Sequence, residues 1–395
     1  MNKLKVNSVV ERKIKSGAQL LEKKDFDTSL VNQLVQLFSQ SNQFLGMAYL
    51  SPQNKGIGWL LSRQIFDFNH DYFVSLFEKS REKRQKFEKS REKRQKFEKS
   101  SQTTAYRLFN QDGDNFGGLT IDFYSDYALF SWYNEFVYTN RQMIVAAFKQ
   151  VYPNIKGAYE KIRFKGLDFE SAHLYGQEAP ESFLILENNI KYSVFLNDGL
   201  MTGIFLDQHD VRKALATNLS EGKKVLNMFS YTAAFSVAAA VGGALETTSV
   251  DLAKRSRELS KAHFDANQIV TDNHRFIVMD VFEYYKYAKR KHLSYDVIVI
   301  DPPSFARNKK QTFSVTKDYY KLIEQALDIL APGGTIIAST NAANLTVSQF
   351  KKQLEKGFGK ASHNYISLQQ LPEDFTVNDK DQQSNYLKVF TIKVK

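Results

Sequence analysis

A chain of 395 residues exceeds what one hydrophobic core organises and predicts two or three domains. Its 43% apolar and 13% aromatic content excludes wholesale disorder, and its lack of any Cys excludes disulfides, thiolate metal sites and a thiol nucleophile. The net charge of +11 favours a polyanionic partner, while the absence of a long apolar run and the charged opening MNKLKVNSVVERKIKSG predict no membrane span, no secretion signal and a cytoplasmic location.

Residues 1–72 mix short strand-like runs such as FLGMAYL (44–50) with turn residues (SPQNKGIG, 51–58) and predict a small β-rich domain, with Arg12 and Lys13 near its start as candidate RNA-binding cations that a solvated face explains as well. Residues 73–103 read as a charged connecting helix. Within it the decapeptide REKRQKFEKS occupies 81–90 and again 91–100. From 76 to 100 there are eleven Lys/Arg against five Glu, so +6 of the total charge lies there. A ten-residue step falls about 80° short of three helical turns, so Phe77, Phe87 and Phe97 walk around the helix instead of forming a stripe. A solvated helix is expected, with a cationic rod along phosphates as the alternative.

Residues 104–196 read as a central α/β domain. GGLTIDFYSDYALFSWY (117–133) predicts two strands turning at Ser125–Asp126. RQMIVAAFKQVY (141–152) predicts a helix, and FLILENNIKYSVFL (183–196) a hairpin through Asn188–Asn189, residues that tolerate positive φ.

From about 222 onward, strands and helices alternate for some 170 residues, which predicts a doubly wound, mostly parallel sheet. Two consecutive strands at the end (364–371 and 386–394) predict an antiparallel partner at one edge. Ligands bind beyond the carboxyl ends of such strands. The first strand leads into NMFSYTAAFS (227–236), bringing Asn227, Phe229, Ser230 and Tyr231; the next three end in Asp251, Asp280 and Asp301. One terminal Asp is an ordinary helix cap; three together predict a cavity lined with carboxylate acceptors. Asp251 is placed for ribose hydroxyls and Asp280 for an adenine amino group. FSYTAAFS has no glycine-rich turn for a pyrophosphate, which favours a nucleoside such as S-adenosylmethionine over a dinucleotide. DPPSFARNKK (301–310) then offers Asp301, two stiffening prolines (Pro302, Pro303), a ring for base stacking (Phe305) and cations for phosphates (Arg307, Lys309, Lys310). The seven His are scattered, and no metal is expected.

VLNMFSYTAAFSVAAA, SVDLAKRSRELSKAHFDAN, DPPSFARNKK and TGIFLDQHDVR (202–212) resemble the class I S-adenosylmethionine-dependent 23S rRNA methyltransferases with an N-terminal PUA domain, relatives of the large-subunit rRNA cytosine-C5 enzymes. The resemblance covers essentially the whole chain. It implies a PUA-like RNA-binding domain (1–72), the connecting helix (73–103), a small central α/β domain (104–196) and a Rossmann-like methyltransferase domain with a seven-stranded sheet (197–395). It also implies that Phe205 and Gln208 border the cofactor, that Asp301 serves both cofactor and target base, and that the partner is 23S rRNA or a large-subunit precursor. A homodimer is left open.

Two positions depart from that family. Its catalytic Cys aligns with Asn341 in ASTNAANLT (338–346), and two of its glycines align with Ala233 and Ala234. Addition of a thiolate to cytosine C6 is what makes C5 nucleophilic in the usual mechanism. Without any Cys the expectation shifts to a nitrogen target, with Asn341 as a donor or acceptor. The alternatives are a catalytically silent RNA-binding or ribosome-assembly protein, and a nicotinamide-dependent dehydrogenase, which lacks its G-x-G-x-x-G loop here.

Overall fold

The computed structural model describes every residue except 27, 54, 55, 95–101 and 308–311, and only the backbone at 86–94, 306, 307 and 312. The chain forms two compact units: one comprises residues 1–183, 195–202 and 373–384, the other 184–194, 203–372 and 385–395.

The first unit holds two five-stranded sheets. In the amino-terminal one, strands Asn2–Lys5, Gln33–Phe38, Phe44–Gln53, Gly56–Ser62 and Leu20–Leu21 lie side by side in that order. Helix Ser8–Ser16 begins where the Asn7 side chain accepts the N–H groups of Val9 and Val10, ends at Gly17 with φ 106°, and buries Val10 and Ile14 against Val35 and Leu37. The second sheet runs Ser171–Gly176, Gly157–Ile162, Tyr127–Trp132, Leu119–Tyr124, Ala105–Asn110. Its central hairpin turns at Ser125, with φ 60°. The two sheets share one core: Tyr49 and Trp59 pack among Phe73, Phe116 and Phe136. At Gly117 an added Cβ would lie 2.0 Å from the Trp59 ring, so only glycine fits.

Helix His70–Arg94 corrects the expectation of a solvated connector. Phe73, Leu76, Phe77, Ser80 and Arg84 are buried along one face. Arg84, inside the first decapeptide, donates to Asp114 at 2.8 Å and to the Asp374 carbonyl at 2.9 Å. Arg84 is a charge enclosed with its partner, while burial of Phe77 supplies the apolar anchor. The second decapeptide lies largely outside the described residues.

The second unit is built on a seven-stranded sheet. Its strands are β1 (Lys224–Met228), β2 (Glu246–Asp251), β3 (His274–Val278), β4 (Tyr295–Ile300), β5 (Leu330–Thr340), β6 (His363–Gln369) and β7 (Lys388–Val394). They are ordered β3-β2-β1-β4-β5-β7-β6. β7 is antiparallel to both neighbours, so the antiparallel member is the penultimate strand and not the edge. The reason is burial: six of the seven residues of β7 are buried, whereas β6 has none that is. Val297–Ile300 are fully buried at the centre of the sheet. The hairpin Phe183–Glu187 and Ile190–Val194 turns at Asn188 and Asn189, with φ 51° and 67°, matching a two-residue turn with both central residues left-handed. Residues 184–194 belong to this second unit and not to the central sheet.

Candidate active site

The order of the sheet sets β4 beside β1 and β5, with Ile300 level with Met228 and Ala338. Asp301 therefore emerges next to Ser339 and beyond the loop that follows β1. Tyr319, fully buried, donates its hydroxyl to the Ile300 carbonyl at 2.8 Å and braces the last residue of β4. Gln208, on the TGIFLDQHDVR segment, donates its amide to Asp301 Oδ2 at 3.2 Å and to Ser339 Oγ at 2.9 Å. Burial pushes the Asp301 carboxyl up to about 6; nearby Asp207 adds to the rise, while the Ser339 hydroxyl and Gln208 amide oppose it.

After Asp301 the chain turns through buried Pro302 and exposed Pro303 and Ser304. Phe305 is 61% exposed. Ser304 Oγ donates to Asn341 Oδ1 at 3.0 Å, so the DPPS turn is joined to the loop after β5. Phe305–Arg307 pairs with Thr312–Ser314 as a small antiparallel ribbon. The Arg307 side chain, Lys309 and Lys310 lie outside the described residues.

The loop after β1 alternates backbone hand: Phe229, Tyr231 and Ala233 have φ of 60°, 49° and 58°. Its N–H groups find partners across the sheet, Ser230 N on the Val250 carbonyl at 3.0 Å and Tyr231 N on Asp251 Oδ2 at 2.9 Å. Tyr231 and Thr232 grip Gly203 from both sides: Tyr231 Oη accepts its N–H at 3.1 Å and Thr232 Oγ1 donates to its carbonyl at 2.7 Å. Phe205, half-exposed, has its ring 5.6 Å from that of Tyr231. Buried Arg212 forms a two-pronged pair with Glu187, both contacts 2.6 Å, and donates to the Phe205 carbonyl at 2.8 Å. The hairpin 183–194 thus braces the segment bearing Phe205 and Gln208. Buried His263 does the same for the β1 loop, its ring nitrogens 3.0 Å from the Thr232 carbonyl and 3.1 Å from that of Ser193.

The three terminal Asp residues differ. Asp251 accepts from Tyr231 N, Ala253 N and Ser256 Oγ. Asp280 caps helix Val281–Arg290 through the N–H groups of Phe282 and Glu283, the ordinary role of a strand-terminal Asp. Asn227 is fully buried and donates to Ser236 Oγ, so it sits beneath the loop. In the first unit, Arg12 is exposed, whereas Lys13 is ion-paired with both Glu22 and Asp25 and is not a free phosphate-binding cation.

Several neighbours of these residues carry no mark in the sequence itself. Asp207, Ser304 and Ser339 join the network only through tertiary approach. Leu252 and Val278, 60% and 39% exposed, present apolar surface beside Asp251 at the tips of β2 and β3; an apolar residue directly after a strand-terminal Asp was the available signal. The cradle fits an adenosine-bearing sulfonium: apolar flanks for a base, a carboxylate for hydroxyls, and buried Gln208 Oε1 and Asn227 Oδ1, which have no hydrogen-bond partner among the described residues.

This architecture is that of a class I methyltransferase. The family model for S-adenosylmethionine-dependent methyltransferases matches residues 153–383, and a PUA-like domain model matches 4–63. The chain belongs to the S-adenosylmethionine-dependent methyltransferase family, and S-adenosylmethionine is its cofactor. It is 41% identical over 97% of both chains to YwbD of Bacillus subtilis (strain 168), provisionally named a ribosomal RNA large subunit methyltransferase. It is 35% identical to ribosomal RNA large subunit methyltransferase I of Aeromonas hydrophila, over 63% of this chain and 64% of the other. The crystal structure of SMU.776, provisionally named a methyltransferase and complexed with SAH, superposes with a TM-score of 0.94 at 64% identity over the whole of both chains.

Proposed function

We propose that this chain methylates a base nitrogen of large-subunit ribosomal RNA, in the cytoplasm where that RNA is assembled. The names of its relatives support the RNA substrate, and the PUA-like match over 4–63 supports RNA binding by the first 72 residues. One observation carries the nitrogen target: the loop after β5 presents exposed Asn341, hydrogen-bonded to Ser304 of the DPPS turn, in a chain with no Cys. An amide cannot add covalently to a pyrimidine ring, whereas a nitrogen lone pair needs no such activation.

S-adenosylmethionine supplies a methyl group on a sulfonium leaving group. Asp251 takes the ribose hydroxyls, Leu252 and Val278 flank the adenine, Asp280 borders it, and Phe205, Gln208, Phe229, Ser230 and Tyr231 close the pocket above buried Asn227. Phe305 stacks on the target base, which must leave its helix to reach the site. Asp301 and the Pro302 carbonyl accept amino hydrogens of that base. As the nitrogen–methyl bond forms and the sulfur–methyl bond breaks, the nitrogen sheds a proton. Asp301, pushed up to about 6, has the affinity suited to taking it near neutral pH. Arg12, Arg307, Lys309 and Lys310 hold phosphates. Most of the acceleration then comes from alignment, which supplies up to roughly 7–11 kcal/mol.

The test is methylation of rRNA from cells lacking the gene, followed by nucleoside mass spectrometry. An N-methylated nucleoside is expected. Appearance of 5-methylcytidine, or binding of S-adenosylmethionine with no methyl transferred, overturns the reading.

A further inference from the structure

The residues that face cofactor and target belong to segments far apart in the chain: 205–208, 301–305 and 339–341. Something must hold them in one register. Two links join them directly, Gln208 to Asp301 and Ser339, and Ser304 to Asn341. A third comes from the last strand. Lys388 opens β7 opposite Thr340, the final residue of β5. It is 2% exposed. Its ammonium donates to the Ala342 carbonyl at 2.9 Å and to the Tyr386 carbonyl at 3.0 Å. Tyr386 in turn donates its hydroxyl to Asp207 Oδ2 at 3.0 Å. Asp207 is the neighbour of Gln208 and one of the charges that raise Asp301.

These contacts close a ring. From Asp301 it runs through Gln208 to Asp207, across to Tyr386, through the Lys388 ammonium to Ala342, and back through Asn341 and Ser304 to the DPPS turn. Burying an ammonium is expensive unless it is fully hydrogen-bonded. Ala342 is itself 4% exposed, so its carbonyl needs an internal donor, and many donors could meet that need. What the lysine adds is placement: a single buried cation ties the loop that carries Asn341 to the chain that holds Asp207.

We propose that Lys388 is a positioning residue for methyl transfer, setting the loop bearing Asn341 against the Asp301–Gln208 pair without itself touching cofactor or base. This rests on the reading in which Asp301 and Asn341 face the target. Displacement of a catalytic group by about 1 Å costs on the order of 100-fold in rate.

The experiment measures S-adenosylmethionine affinity by calorimetry, and kcat and KM for large-subunit rRNA, in the full chain and in Lys388→Met, Lys388→Arg and Tyr386→Phe. For Lys388→Met the expected result is cofactor affinity within about twofold of the parent and kcat lowered on the order of 100-fold. Lys388→Arg, which keeps the charge and donors, recovers most of that loss. An unchanged kcat overturns the proposal, as does a parallel loss of cofactor affinity, melting temperature and rate that arginine does not repair. If Lys388→Met does not fold, Tyr386→Phe carries the test: kcat must fall several-fold with cofactor affinity kept, and an unchanged kcat overturns the proposal. A parent protein that methylates no RNA nitrogen defeats the functional reading; an active parent with an indifferent Lys388→Met defeats only this inference.

Discussion

The tips of β2 and β4 carry the same side chain to opposite effect. Asp251 is fed by its own surroundings: two backbone N–H groups and a serine hydroxyl point at it. Asp301 receives a side-chain amide from Gln208 and a hydroxyl from Ser339, and burial drives its carboxyl up to about 6. One tip is an acceptor met by three donors from its own loop and helix. The other is held near the point where it can gain or lose a proton. An identical residue at an equivalent place in the same sheet therefore does different work, according to how many donors the neighbouring loops bring to it.

The contrast depends on the segment that carries Gln208, so the largest expected effect comes from loosening it. Arg212→Met leaves Glu187 buried without its partner and should destabilise the chain by about 3–5 kcal/mol in urea unfolding. Adding Glu187→Leu should restore much of that stability while leaving methyl transfer impaired, because the Phe205 carbonyl still lacks its donor. Asp301→Asn removes the proton-accepting carboxylate and should lower kcat by roughly 100- to 1000-fold with cofactor affinity nearly kept. In the parent, kcat/KM should fall about tenfold per pH unit below pH 6 as Asp301 protonates.

The same carboxyl makes a stability prediction of opposite sense. Its folded value lies above the ordinary 3.8, so the native state binds the proton more tightly than the unfolded chain does. Stability contributed by that proton is present at low pH and is lost as pH rises from about 4 to about 6. Asp301→Asn should then stabilise the protein by on the order of 2 kcal/mol at pH 7.5 and by little at pH 4, measured by thermal unfolding at both values. The smallest effect belongs to the β1 loop: Ala233, at φ 58°, pays the left-handed penalty that glycine escapes. Ala233→Gly should raise stability by about 0.5–1 kcal/mol in denaturant titration, with the tip of β2 unchanged.

Much of the fold was legible because it rests on local rules. Alternating strand and helix patterns predicted the doubly wound sheet, and Asn188–Asn189 predicted a turn of left-handed residues. The three strand-terminal Asp residues were visible, but not that Asp280 serves as a helix cap, since capping and ligand binding call for the same side chain in the same place. The position of β7 was not legible either. It is decided by competition between two consecutive strands for the buried slot beside β5. Lys13 read as a free cation because its partners Glu22 and Asp25 come to it through the fold.

By itself the sequence determined the class of the sheet, the cluster of acceptors at its carboxyl edge and the absence of any thiol for covalent chemistry. These follow from periodicity, turn chemistry and composition. Only the tertiary structure decided which Asp is pushed up by burial, that Arg84 in the first decapeptide is enclosed with Asp114, and that Lys388 reaches across to Ala342. Those outcomes depend on which side chains meet after the chain has closed on itself, and no local pattern encodes a meeting between residues tens or hundreds of positions apart.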